Sequence, residues 1–273
     1  MIDIILEMFS YQFIVRAFLV GIMVSVTLAL LGVTLVLKRQ SMLGDGLSHV
    51  GFGAMSVALA LNVAPLVIAI PVMVLAAFLL LRLKSLKVNS DAAIAIISSS
   101  AIAIGITAAA CSGGMNTDVY GYMFGSILSV TKAEVIISAL LCAVTLLVFV
   151  LFYNKIFATT FDPAFASASG TKTKPFDVLF ALLTACAIVI GMRVMGTMLI
   201  SGLIVFPALS ALGACKSFKS TVIFASVISA GAFITGMIAS YAIAYIPAGA
   251  SIVLANLTVF GIITLVKKLR GIK

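Results

Sequence analysis

The sequence predicts an all-α, polytopic integral membrane helix bundle of about 8–9 transmembrane helices, with one short helix in a cytoplasmic connection. Three observations predict it. Charged residues make up 9% of the 273-residue chain and hydrophobic ones 63%, whereas a soluble domain carries about 25% charged residues. Mean hydropathy is +1.33. Apolar runs close to the ~20 residues that cross a bilayer as a helix recur along the whole length. No polar stretch is long enough to build a soluble domain, so 1–273 reads as one membrane domain.

The start, MIDIILEMFSYQF, carries Asp3 and Glu7 where a secretory leader would be basic, so no cleaved leader is expected. Apolar segments then fall at 14–37, 43–61, 64–81, 92–112, 133–153, 175–192, 194–214, 220–246 and 249–266. The division of 175–214 is the least marked; a single crossing there gives eight spans. Basic residues discriminate between the two counts. Of 17, fourteen fall on one side, in the clusters at Lys38, Arg82, Lys155, Lys172, Lys216 and Lys267, and only Arg16, Lys132 and Arg193 fall on the other. The richer side of a cell membrane protein is cytoplasmic, so nine spans put the N-terminus outside and the C-terminus inside. The same bias accounts for the net charge of +9 without invoking nucleic acid. Arg193 is expected to snorkel at an outer helix end. Pro71 and Pro207 lie within spans, where membrane helices tolerate proline. Ser98, Ser99 and Ser100 are expected to bond back to helix carbonyls. The four cysteines are too widely spaced for a disulfide framework or a zinc knuckle and read as packing residues.

Two connections are more than plain loops. The outer stretch 112–134 is too apolar for a free loop and too short for a paired crossing, so a helix lying on or dipping into the outer face is expected. In the cytoplasmic stretch 153–177, Asp162 can cap a short helix with Pro163 in its first turn and Gly170 at its end. Its small residues, including Ala164, Ala166 and Ala168, suit a helix pressed into another surface. A membrane-surface connector fits the same residues.

The chemistry concentrates in MLGDGLSHVGFGAMS, residues 42–56, which holds the chain's single histidine. Positions four apart on a helix lie about 40° apart around its axis, so Asp45 and His49 share a face that continues through Phe52 and Ser56. A carboxylate oxygen beside an imidazole nitrogen suits a borderline divalent cation such as zinc, manganese or ferrous iron. Ionisable groups inside a membrane are costly and mark function by default. A structural hydrogen bond fits the spacing equally, either within the pair or from His49 to a neighbouring helix such as that of Asn256. Gly44, Gly46, Gly51 and Gly53 provide either close helix packing or room for an ion beside the backbone. GACKS at 213–217 lacks the glycine spacing of a nucleotide-binding loop, and no nucleophile–base pair is present, so the chain is not expected to be an enzyme.

Five stretches resemble, in order, the metal-type ABC transporter permeases of the zinc, manganese and iron uptake family often called ABC-3. They are VTLVLKRQSMLGDGLSHVGFGA (33–54), DVYGYMFGSIL (118–128), FDPAFASASG (161–170), MGTMLISGLIVFPALSA (195–211) and IPAGASIVL (246–254). The resemblance implies a permease that forms the translocation pathway with a second copy of itself. It also implies cytoplasmic ATP-binding subunits that hydrolyse ATP and an extracytoplasmic metal-binding protein that delivers the ion. No cofactor is implied as stably bound; the cargo is a divalent transition metal, with zinc favoured and manganese or iron the alternatives. On this resemblance Asp45 and His49 are transit ligands. Asp162, Pro163, Ala164, Ala166 and Gly170 belong to a coupling loop at about 157–174 that docks on the ATPase. A rival of another class is an ion-coupled secondary carrier, but such carriers often show internal repeats and several buried acids, and here only Asp45 qualifies.

Overall fold

The computed structural model describes residues 7–85, 89–112, 117–125, 130–243 and 246–269, and all regular structure among them is helical. In chain order the helices are α1 (Gln12–Leu37), α2 (Met42–Ala60), α3 (Pro65–Ser85), α4 (Ser90–Cys111), α5 (Thr117–Phe124), α6 (Lys132–Leu151), α7 (Tyr153–Phe161), α8 (Pro163–Ala168), α9 (Thr173–Met195), α10 (Thr197–Ala214), α11 (Phe218–Ala242) and α12 (Ala248–Leu269). Each of the nine predicted spans corresponds to one of these helices, with ends displaced by four residues at most. Seven are long and apolar enough to cross a membrane by themselves. The other two are α2, diluted by its acid, histidine, serines and glycines, and α10, an apolar helix of 18 residues. Residues that would weaken a lone membrane helix are accommodated in α2 because other helices surround it.

The bundle is centred on α1 and α9, each 72% buried along its apolar window, while α4 and α12 are only 17% and 22% buried and form the periphery. α1 packs against α6, α9, α10 and α11; α2 packs against α3, α4, α9 and α10. α9 and α10 therefore stand between α1 and α2. The ambiguous stretch 175–214 is two helices, split at Gly196, whose φ of +84° ends α9 in the left-handed region that glycine tolerates. A Cβ at Gly196 would lie 2.4 Å from the Met123 carbonyl oxygen, so the end of α5 rests on this turn backbone to backbone. The helix expected within 112–134 is α5, which packs on α9, α10, α2 and α12; 113–116 and 126–129 of that stretch lie outside the described residues.

α1 ends in a tight cap. The Gln40 N–H donates to the Leu35 carbonyl at 2.8 Å and the Arg39 N–H to Val36 at 3.0 Å, with Arg39 at φ +57°. α2 starts two residues later, so its first turn is rigidly joined to the end of α1. The short helix expected in 153–177 is α8. Asp162 Oδ1 accepts the Phe165 N–H at 2.9 Å, Pro163 occupies the first turn, and Gly170 at φ +85° lets the Thr171 N–H reach back to the Ala166 carbonyl at 2.9 Å. An additional helix precedes it: α7 turns off α6 at Phe152 and buries Ile156, Thr159 and Thr160. Pro71 and Pro207 lie inside α3 and α10, and the Ser98 hydroxyl donates to the Ala95 carbonyl at 3.2 Å, as expected.

Candidate metal-transit site

α2 is locked on three sides by its glycines. A Cβ on Gly44 would meet Ile204 of α10, one on Gly46 would meet Ile94 of α4, one on Gly53 would meet the Ala101 backbone of α4, and one on Gly51 would meet Met192 and Met73 of α9 and α3. Of the two roles open to these glycines, the geometry is that of close packing. Advancing 100° per residue, Gly44 and Gly51 point one way and Gly46 and Gly53 nearly the opposite way. Asp45, His49, Phe52 and Ser56 fall between them, on the sector between α10 and α4.

From Leu43 to Ser56 every residue is buried except Asp45 and His49. Their side chains are 35% and 24% exposed, whereas Phe52 is 3% exposed and Ser56 fully buried. The polar sector is thus open around the first two turns of α2 and closed beyond them. His49 Nε2 lies 3.7 Å from Asp45 Oδ2. That is beyond hydrogen-bond range, so the pair makes at most a long ion pair and both side chains stay partly exposed. The Asn256 side chain donates to the Ile252 carbonyl of its own helix at 3.0 Å, and α12 packs on α10 and α11 rather than forming a wall of α2. Neither structural alternative for the pair is therefore realised. Among the described residues no cluster of three or more His, Cys, Asp or Glu exists, so one chain offers two donors and no closed metal centre.

Of the residues expected to couple to an ATPase, Asp162, Pro163, Ala164 and Gly170 are exposed, whereas Ala166 is fully buried against the rest of the chain. Ala166 anchors α8, and the neighbouring Phe165 is 67% exposed and projects outward.

Two ion pairs escape the sequence reading. Arg193 does not snorkel: its guanidinium reaches back to Glu134, with side chains 16% and 5% exposed. Glu134 also accepts the Thr131 N–H at 2.7 Å, so one carboxylate caps α6 and ties it to α9. Arg193→Met leaves that carboxylate buried without its counter-charge, and the expected loss is about 3–5 kcal/mol. Chemical unfolding in detergent measures it, and adding Glu134→Gln should recover much of the loss. Lys38 Nζ lies 2.7 Å from Asp177 Oδ1 and 5.4 Å from the Phe180 ring centre. This pair joins the α1–α2 turn to the first turns of α9, directly after the α8 loop. Opposite charges at matching membrane depths were the available signal, but 139 residues separate Lys38 from Asp177.

The chain matches the ABC 3 transport family over residues 10–267. It is 30% identical over 252 residues to the manganese import system permease protein ScaB of Streptococcus gordonii, covering 92% of this chain and 90% of that protein. It is 26% identical to the high-affinity zinc uptake system membrane protein ZnuB of Haemophilus influenzae, covering 95% and 99%. Among solved structures it superposes on PsaBC from Streptococcus pneumoniae, solved in complex with Fab, with a TM-score of 0.86 at 29% identity over 96% of this chain and 95% of that one. Matched nearly end to end by the family and by its solved fold, the chain belongs to the ABC 3 transport family and is the permease subunit of a metal-type ABC importer.

Proposed function

We propose that the chain carries zinc inward through a pathway lined by α2, with Asp45 and His49 as the ligands a passing ion meets. The observation that carries this reading is the open sector of α2, where the only two incompletely buried residues between Leu43 and Ser56 are a carboxylate and an imidazole. Two donors from one chain are too few for a tetrahedral site. A second copy facing this sector supplies another pair, and water completes what remains. Such a site binds weakly enough for the ion to leave. The fourteen basic residues on one side support a reading with the N-terminus outside and the C-terminus in the cytoplasm, and in this reading an extracytoplasmic binding protein delivers the ion.

ATP hydrolysis takes place in partner subunits that receive α8 and its exposed Phe165. Force on α8 passes through Gly170 to α9, and through the Lys38–Asp177 pair to the α1–α2 turn that starts α2. Phe165→Asp should preserve folding and basal ATP hydrolysis by the assembled complex and remove most of the metal uptake per ATP; unchanged coupling would place the docking surface elsewhere. Manganese is the second reading, favoured by the carboxylate oxygen in the donor set and by the relative named as a manganese permease. Uptake of zinc and manganese measured side by side in one proteoliposome preparation of the complex tests both. The zinc reading requires faster zinc transport at equal free concentration.

A further inference from the structure

Around α1, the helices α11, α10, α9 and α6 pack each on the next, but α6 and α11 do not pack along one another to close the ring. The gap is a groove of about 460 Å³ floored by Leu30 of α1, walled by Phe149 and Val150 of α6 and Ile223 of α11, and ended by Tyr153 and Lys219. It lies on the side of α1 turned away from α9 and α10, hence away from α2 and its polar sector. A second permease copy facing that sector leaves the groove to the bilayer. Its rim is built for hydrocarbon: Val150 is 76% exposed and Ile223 55%.

The inner end has a different character. Among the described residues Lys219 is the only charged one lining the groove; it stands in the first turn of α11, where there is no acid, and forms no ion pair among them. Lys216 and Lys155 are exposed on the same side. Rings gather beside it, with Phe218 5.7 Å from Tyr153, 5.7 Å from Phe157 and 6.0 Å from Phe161 between centres. Aromatic rings and lysines over an apolar cleft form an arrangement suited to the headgroup level of a bilayer, and basic pockets between membrane helices take anionic lipid headgroups.

We infer that this groove binds an anionic phospholipid, one acyl chain lying along Leu30 between α6 and α11 and the phosphate held against Lys219. The inference rests on the permease reading in seating a second copy on the α2 sector, which leaves this groove to the bilayer, and on the side rich in basic residues in assigning the lipid to the inner leaflet. The bound lipid braces Tyr153 at the start of α7, whose ring packs on Phe218, and α7 leads directly into α8.

The chain contains no tryptophan, so a single Leu146→Trp on the α6 wall reports on the groove without background. The full chain is reconstituted in vesicles of phosphatidylcholine containing an equal mole fraction of brominated phosphatidylglycerol or brominated phosphatidylcholine. Bromine should quench the reporter with an apparent preference of about fivefold for the anionic lipid, the ratio that ~1 kcal/mol per lysine gives. Lys219→Gln should abolish the preference, and a control reporter at the exposed Ile136 of α6 should show none. Ile223→Trp on the opposite wall replaces the reporter if Leu146→Trp does not fold. Equal quenching by both lipids, which means ordinary boundary lipid, would overturn the inference. So would a preference that survives Lys219→Gln, or a reporter shielded from both lipids by protein. Metal transport is not measured, so the result stands apart from the fate of the zinc reading.

Discussion

Replacing Asp45 and His49 together with alanine removes ATP-driven metal uptake while the protein stays folded. Both side chains are partly exposed and make no hydrogen bond to each other, so truncating them opens no cavity, and stability should change by no more than about 0.5–1 kcal/mol. Transport should fall by at least roughly a hundredfold, because even outer-shell partners of metal ligands are commonly worth 10–100-fold. Asp45→Asn with His49 intact should lose less than the double variant, since an amide oxygen still offers a neutral donor. Basal ATP hydrolysis by the assembled complex should persist in both. The measurement is radiolabelled metal uptake into proteoliposomes beside a melting curve of the same preparation. Uptake that survives in the double variant would remove these residues from the pathway.

Gly53→Ala should be among the most damaging single-methyl additions in the molecule. The added Cβ would lie 2.4 Å from the Ala101 carbonyl oxygen and 3.0 Å from its carbon, and a Cβ on Gly105 would lie 2.7 Å from the Gly53 Cα. Here α2 and α4 touch backbone to backbone, so no side chain can rotate away and a helix must shift. Overpacking of this kind costs about 1–3 kcal/mol. Gly51→Ala should be milder, because the atoms in its way, 2.9 Å off, are the end of the flexible Met192 side chain. Gly261→Ala meets nothing within 4 Å and serves as the control; its greater helix propensity should leave stability unchanged or raise it by up to ~1 kcal/mol. Thermal unfolding in one detergent ranks the three, and a Gly53→Ala protein as stable as the Gly261→Ala control would contradict the close approach. Gly53→Ala should also slow transport, since a displaced α2 carries Asp45 and His49 with it.

The legible part of this protein is the part governed by local rules. Span length follows from the thickness of hydrocarbon, which is why nine apolar runs become helices with ends close to the expected ones. Asp162, Pro163 and Gly170 act on backbone groups within a few residues of themselves, so α8 is readable without its surroundings. The shared face of Asp45 and His49 follows from helical period alone. The partnership of Glu134 with Arg193 does not follow from any such rule, since Arg193 at a helix end fits snorkelling equally well until α6 is seen beside α9. Lys38 and Asp177 are similar, each resembling an ordinary interfacial charge. Ala166 belongs to a run of small residues that appears uniform in sequence; only the docking of α8 turns Ala166 inward and Phe165 outward.

By itself, then, the sequence determined the class of fold, the short helix capped by Asp162 and the one stretch where a carboxylate and an imidazole meet. These follow from periodicity, hydropathy and capping, which act over a few turns of one helix. Tertiary structure alone decided that the polar sector is open between α10 and α4, that the α2 glycines serve contact rather than coordination, which charges pair, and where α6 and α11 part over α1. Those outcomes depend on which helices become neighbours, and in a bundle of similar apolar helices that choice is made by shape complementarity at small residues and by burial of opposite charges far apart in the chain.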